Sequence, residues 1–323
     1  MNRRSALEGL SLGGTAALAA KVLWPARPSS RRRPSNVAVI RCERYDSCAS
    51  AVRDGLRLVP PGVRGRRVVL KPNLVEHSAT APINTNPQLI AAVADAMYAA
   101  GAATVVVADG PGHVRDSELL LSESGLRQHL AEIGRSQFVD LNFDDVRAVR
   151  TRGAFTSLTK IWLPNTILNA DVIVSMPKVK THHWAGVTLS LKNLFGVVPG
   201  SVYGWPKNIL HWQGIDNSIA ELAVTLPIHY VIADGIDAME GNGPLHGSTR
   251  HLGALVFADD AVAADATCCR LMGIDPFRVR HLVMAAPFGN LHSEAIVQRG
   301  ELIQALRQRF SLLSSFGHLQ DPA

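Results

Sequence analysis

Apolar runs and helix-spaced stretches alternate along most of this chain. Val37 to Arg41 is a short β-branched run, and Ser47 to Leu58 has helical spacing. Arg67 to Leu74 predicts the next strand, which ends in Lys71-Pro72-Asn73, and Pro87 then opens an Ala-rich helix that Gly101 stops. Ala103 to Ala108 is a continuous apolar run but for Thr104 and predicts a strand buried on both faces, as in a parallel sheet. It runs into Asp109-Gly110. A helix is expected over Ser117 to Ile133 with a break at Gly125, followed by a strand at Phe138 to Leu141. Arg147 to Leu163 alternates and carries turn residues, so it reads as an antiparallel hairpin. Asp171 to Ser175, His229 to Ala233 and Leu252 to Ala258 are further strands, with helices at Ile215 to Thr225 and Ala261 to Met272. Glu294 to Leu313 has the spacing of an amphipathic terminal helix.

This alternation predicts an α/β fold, a mainly parallel sheet flanked by helices with a small antiparallel hairpin insertion. The expected body covers residues 35–290, after an export signal and linker at 1–34 and before a helical tail at 291–323. Ligands in such sheets sit at the carboxyl ends of strands. Polar residues gather at those ends: Lys71 and Asn73, Asp109, Lys178, Asp234, then Asp259 and Asp260. A single polar residue at a strand end is often a cap or turn former, so the weight lies in their number.

The densest chemistry is in Ser175 to Gly200. Lys178, Lys180, His182, His183, Lys192 and Asn193 stand close together there, beside Gly186, Gly196 and Gly200. Donors of one polarity next to glycines suggest a cradle for an anion or polar cofactor, with a solvated basic loop as the rival. Adjacent His182 and His183 should point different ways in an extended segment, which makes His182 the better candidate for a base or ligand. His211 and His246 stand as further candidates, and Trp184, Trp205 and Trp212 either wall a planar ligand or simply pack.

Charge narrows the partners. The +6 net charge comes entirely from the seven basic residues before Ser35, set against Glu8 alone, so the body is neutral and offers no nucleic-acid surface. Asn2-Arg3-Arg4-Ser5 precedes a Gly- and Ala-rich stretch from Leu7 to Ala20, the arrangement of a twin-arginine export signal. Ala6, Glu8 and Lys21 depart from that pattern, and a basic arm or uncleaved anchor stays open beside it. Cys42, Cys48, Cys268 and Cys269 have no cluster-binding spacing, so this chain alone is not expected to hold an iron–sulfur cluster. Pairing of Cys42 with Cys48 is left open.

Several segments together resemble the family called domain of unknown function 362: VVLKPNL at 68–74, Thr85 to Pro87, VVVADGPG at 105–112, and MPKVKTHHWAGVTLSLKNLFGVVPG at 176–200. VIADGIDAMEGNGPLHG at 231–247 and ADDAVAADATCCRLMGIDP at 258–276 extend the match. The resemblance covers roughly 66–285 and implies boundaries and candidate positions, not a reaction. Many members carry a ferredoxin-like cluster domain; the cysteines of such a domain are lacking here, so the resemblance does not imply electron transfer.

The expected function is an exported, cofactor- or metal-dependent enzyme acting on a small anionic or polar substrate, with the oxidoreductase class implied by the export signal and the cluster-bearing relatives rather than by these residues. Export machinery and a separate redox partner are its expected partners. The alternatives are a non-catalytic binding protein for a small anion or metal, and a metal-assisted hydrolase. Lys178, His182 and Asp234 are the catalytic candidates. Lys71, Asn73, Lys180, Lys192, Asn193 and Gly196 are the cofactor-binding candidates, and Asp109, Glu240 and Asp260 the candidate ligands of a divalent metal.

Overall fold

The computed structural model describes residues 33–112 and 116–322. The expected export signal lies outside the described residues, as do most of the linker and His113.

Twelve strands are present among the described residues: β1 (Ser35–Arg41), β2 (Arg67–Pro72), β3 (Thr104–Asp109), β4 (Gln137–Asp140), β5 (Val146–Arg150) and β6 (Lys160–Pro164), then β7 (Val172–Met176), β8 (Lys178–His182), β9 (Gly186–Thr188), β10 (Tyr230–Glu240), β11 (Ser248–Ala258) and β12 (Ile296–Gly300). Ten of them form one mixed, mostly parallel sheet in the order β12-β1-β11-β10-β7-β2-β3-β4, with β8 beside β10 and β9 beside β8. β5 and β6 make the separate antiparallel hairpin expected from their alternation.

Residues that alternate along each strand enter two different cores. Val37 and Val39 face one layer and Ala38 the other; Val69 opposes Val68 and Leu70 in the same way. That is why the runs are apolar at every position rather than every second one. Helices Cys48–Leu58, Pro87–Ala99 and Leu126–Ile133 bury their apolar sides against one face. Helices Ile215–Thr225, Ala261–Leu271 and Arg280–Ala285 cover the other. The start of Pro87–Ala99 is set by Pro87 in the first turn and by Asn86, whose side chain accepts from the Gln88 amide. Gly125, in the left-handed conformation, splits the expected helix into Ser117–Glu123 and Leu126–Ile133.

Three expectations change. Ser175 to Gly200 is not a loop: β8 continues past Pro177, turns back as β9 and enters the short helix Ser190–Asn193. The strand expected at His229 to Ala233 is longer, because β10 runs on to Glu240 with an irregularity between Gly235 and Asp237. The tail is not one amphipathic helix. Ile296–Gly300 adds to the edge of β1 in parallel, and only Ile303–Leu306 is helical. The chain then follows helix Ala261–Leu271 irregularly, with the amides of Gln308 and Phe310 donating to the carbonyls of Leu271 and Met272. Its helix-spaced apolar residues, Ile303, Leu306 and Phe310, still face the core.

Candidate functional site

Strands β2, β3, β7 and β10 are parallel, so their carboxyl ends lie on one edge of the sheet. There β2 delivers Lys71 and β3 delivers Asp109, and both side chains are almost completely buried. The Lys71 ammonium lies 2.6 Å from Asp109 Oδ1 and donates to the Pro72 carbonyl and to Asn193 Oδ1, at 2.7 and 3.1 Å. Its three protons are therefore committed. Asp109 also accepts from the amides of Leu74 and Gly110, each at 2.7 Å. Burial pulls the Lys71 pKa down, opposed by the adjoining carboxylate. Gly196 passes so close to this pair that a Cβ there would overlap Asp109 Oδ1 and crowd Lys71 Nζ. Here the glycine is required by contact rather than by conformation.

Asn193 ties this pair to helix Ser190–Asn193, since its amide nitrogen donates to the Lys71 carbonyl and to Ser175 Oγ. The other end of that helix is held by Asp265, from helix Ala261–Leu271. Its buried carboxylate accepts from the amides of Ser190 and Leu191, at 2.8 and 3.0 Å, and from Ser190 Oγ at 2.7 Å. Burial pushes the Asp265 pKa up to about 6 against those three donors. Asp265→Ala should therefore cost ~2–4 kcal/mol in a urea titration, through three orphaned donors. A loss within ~0.5 kcal/mol would mean that the carboxylate does not anchor the helix.

Between these elements lies a cavity of about 350 Å³. Lys71, Lys180, Lys192 and Lys207 line it together with His182, His183 and His211, and among the described residues Asp109 is the one carboxylate in the lining. Leu74, Val75, Trp184, Phe195, Pro206, Pro244 and Leu245 supply apolar wall. Lys207 Nζ donates to the carbonyls of Gly110 and Phe195 at 2.7 and 2.9 Å, which leaves one proton over. Lys180 Nζ donates to the Ile83 carbonyl at 2.6 Å. Burial lowers the Lys180 pKa well below the usual lysine range, with Lys178 and Lys192 adding repulsion. Burial likewise brings Lys192 down to about 7, with Lys71 adding repulsion, and Lys207 to about 7, opposed by Asp109.

The two histidines are not split between faces as their adjacency predicts. Their rings stack with centroids 5.0 Å apart and both border the cavity. His182 Nδ1 accepts from the amides of Trp184 and Ala185, at 3.0 and 3.2 Å, so the ring proton is on Nε2. Burial, reinforced by Lys192, holds the His182 pKa well below its usual value, so the ring is a neutral donor rather than a base. His183 Nδ1 lies 2.8 Å from the Gly243 carbonyl and must donate to it, which leaves Nε2 of a neutral ring as an acceptor. The pair thus offers one donor and one acceptor. Asn73 Oδ1 and Thr188 Oγ1, on two more lining residues, are buried and have no hydrogen-bond partner among the described residues.

The sequence-predicted residues fall into separate places. Lys71, Asn73, Asp109, Lys180, His182, Lys192, Asn193 and Gly196 meet at the cavity. Lys178 and Asp234 do not line it. They form their own buried network with Tyr45, at the inner end of a second hollow of about 380 Å³ that Lys178 and Tyr45 help line. The proposed metal trio is not assembled. Asp260 caps helix Ala261–Leu271 and accepts from Ser35 Oγ and the Asn290 amide, while Glu240 accepts from the Ser311 amide. Among the described residues no group of three His, Cys, Asp or Glu side chains is placed to hold a metal ion. Cys42 and Cys48 are buried free thiols. Trp184 borders the cavity, whereas Trp212 is exposed and Trp205 packs near Phe143.

Lys207 and Tyr45 carried no sequence signal: each is a lone residue in an otherwise unremarked segment. The lysine sits in WPKN with φ at +70°, a backbone strain retained beside its two buried carbonyl bonds.

The family model for domain of unknown function 362 matches residues 68–270, more than half of the chain. The chain belongs to this family. The match takes in every cavity-lining residue named above. A thylakoid-associated protein of Synechocystis is 29% identical over 254 residues, which cover 75% of each chain. Among solved structures, the lactate racemase apoprotein of Thermoanaerobacterium thermosaccharolyticum aligns with a TM-score of 0.48 at 13% identity. That alignment covers 75% of this chain and 57% of the racemase. A Thermotoga maritima protein aligns with a TM-score of 0.38 at 12% identity over 59% of this chain and 50% of its own. No helix among the described residues of this family member is long and apolar enough to cross a membrane.

Proposed function

We propose that the cavity binds a small organic anion, a carboxylate or phosphate on a partly apolar frame, and that the protein is an enzyme acting on it. The observation that carries this reading is charge balance. Among the described residues four lysines line the space against one carboxylate, and that carboxylate is already paired with Lys71. Among the described lining residues Lys180, Lys192 and Lys207 have no anionic partner, so their neutral forms are favoured and an anion would recharge those that it touches. The spare protons of Lys207 and Lys180 and the Nε2–H of His182 supply donors. His183 Nε2, Asn73 Oδ1 and Thr188 Oγ1 supply acceptors for hydroxyl or amide groups of the same ligand. Such opposed acid and base equipment favours catalysis over storage. Export and a separate redox partner belong to the same proposal, on the strength of the N-terminal sequence.

Proton linkage provides the test. Lys192 and Lys207 sit near neutral pH in the empty protein. An anion seated on Lys207 raises its pKa, so binding must take up protons just above neutrality, and affinity must fall as pH rises. Calorimetric titration with propionate or sulfate at about pH 8, in buffers of different ionisation enthalpy, should give net proton uptake. Affinity unchanged between about pH 6 and 9, with no uptake, would overturn the reading.

A further inference from the structure

The four cavity lysines are not equivalent. Lys71 spends all three protons on Asp109, Pro72 and Asn193. Lys207 and Lys180 are each held by buried carbonyls. Lys192 differs: among the described residues its Nζ has no hydrogen bond or ion pair, and it rests 3.8 Å over the centre of the Phe195 ring. Its side chain stems from helix Ser190–Asn193, which Asp265 and Asn193 fix at both ends, so the amine is anchored at its root. The cavity bordered by Trp184, Phe195 and Leu245 is the space that this tip faces.

We infer that Lys192 is a nucleophile that forms an imine with the carbonyl carbon of a small oxo acid, whose carboxylate is held by Lys207 and Lys180. This rests on the anion reading above and names its substrate class. The neutral amine adds to the carbonyl carbon. A C–N bond forms, the C=O π bond breaks, and a proton passes from nitrogen to oxygen to give a carbinolamine. Loss of one water then gives the C=N bond, so amine plus carbonyl equals imine plus water and no oxidant is required. A desolvated amine beside another cation is in the environment that keeps lysine unprotonated near neutrality, and burial and Lys71 act on Lys192 in that sense. The carboxylate of the oxo acid falls to the lysines that keep a spare proton, and the imine nitrogen draws electrons from the adjacent carbon as the chemistry requires.

The test is reductive trapping on the full chain. The protein is incubated with pyruvate and sodium cyanoborohydride, digested, and mapped by mass spectrometry. Propionate, which has the carboxylate and lacks the carbonyl, serves as competitor and as the calorimetric probe of binding. The expected result is one reduced pyruvate on Lys192, suppressed by excess propionate and absent in Lys192→Arg, which keeps the charge without a usable nucleophile. Pyruvate and propionate binding with no adduct at Lys192, or adducts scattered over surface lysines alone, would overturn the imine and leave the anion site standing. Failure of either acid to bind by calorimetry would overturn both. Lys192→Met, which fits the same space without charge, guards against a folding defect: folded by its thermal melt, it must also lose the adduct.

Discussion

Asp109→Ala is expected to lower folding stability by ~3–5 kcal/mol, read as a shift of the urea midpoint at unchanged slope. The change leaves the Lys71 ammonium buried at 1% exposure with no counter-charge. It also orphans the amides of Leu74 and Gly110, which both end on this carboxylate. Breaking a buried pair from one side is far costlier than the pair is worth, because desolvation of the survivor is no longer offset. Asp109→Asn should cost less, since an amide oxygen keeps one acceptor in place. A small anion added to the alanine variant should recover part of the loss by occupying the vacated position beside Lys71. A loss under ~1 kcal/mol would mean that the pair contributes no more than an exposed one.

Asp234→Ala should cost a similar ~3–5 kcal/mol and leave anion binding in the cavity unchanged. Asp234 is wholly buried. Its carboxylate takes Lys178 Nζ at 3.0 Å, Tyr45 Oη at 2.9 Å and the Asn86 amide at 2.9 Å, and Lys178 also donates to Tyr45 Oη at 2.7 Å. The register of β10 against β8 sets Asp234 opposite Lys178, so the pair clamps two strands where the sheet changes partner from β7 to β8. Tyr45→Phe removes one hydroxyl from the same network and should cost ~1–2 kcal/mol. A combined change of Lys178 and Asp234 to apolar residues of similar size should be milder than either alone, as the interior loses both charges together. Propionate affinity measured on Asp234→Ala decides the role. An affinity loss exceeding tenfold in a folded variant would return Lys178 and Asp234 to the ligand site.

Much of this was legible in the chain. The apolar runs at Ala103 to Ala108 and Asp171 to Ser175 predicted buried strands, which form at Thr104–Asp109 and Val172–Met176. Strand-end polarity pointed to Lys71, Asn73 and Asp109 of the cavity lining, and the Ser175 to Gly200 stretch to Lys180, His182, Lys192, Asn193 and Gly196. What sequence could not do was sort the strand-end acids by destination. Asp109, Asp234 and Asp260 occupy equivalent positions after apolar runs, yet one neutralises a cavity lysine, one clamps two strands and one caps a helix. The difference lies in partners remote in sequence, such as Tyr45, Asn86 and Asn290, which no local pattern marks. His183 was passed over for a related reason: adjacency implied opposite faces, but the β8–β9 turn curls both rings to the same side. The tail misled through spacing alone, since helix-like intervals between Ile303, Leu306 and Phe310 also suit a short turn followed by an irregular docked strand of chain.

The place of β1 has a consequence for synthesis. It lies between β11 and β12, pairing Val37 with Ala258 on one side and with Gln298 on the other. The first strand of the described chain therefore emerges from the ribosome long before either neighbour exists. Until β11 arrives both of its hydrogen-bonding edges are open, and among the helices that pack on it only Cys48–Leu58 has been made. Contacts that span most of the chain make the closing step slow and exposed to misassembly. The sheet is completed from its late end, and a nascent chain released before β12 would carry an open edge along β1.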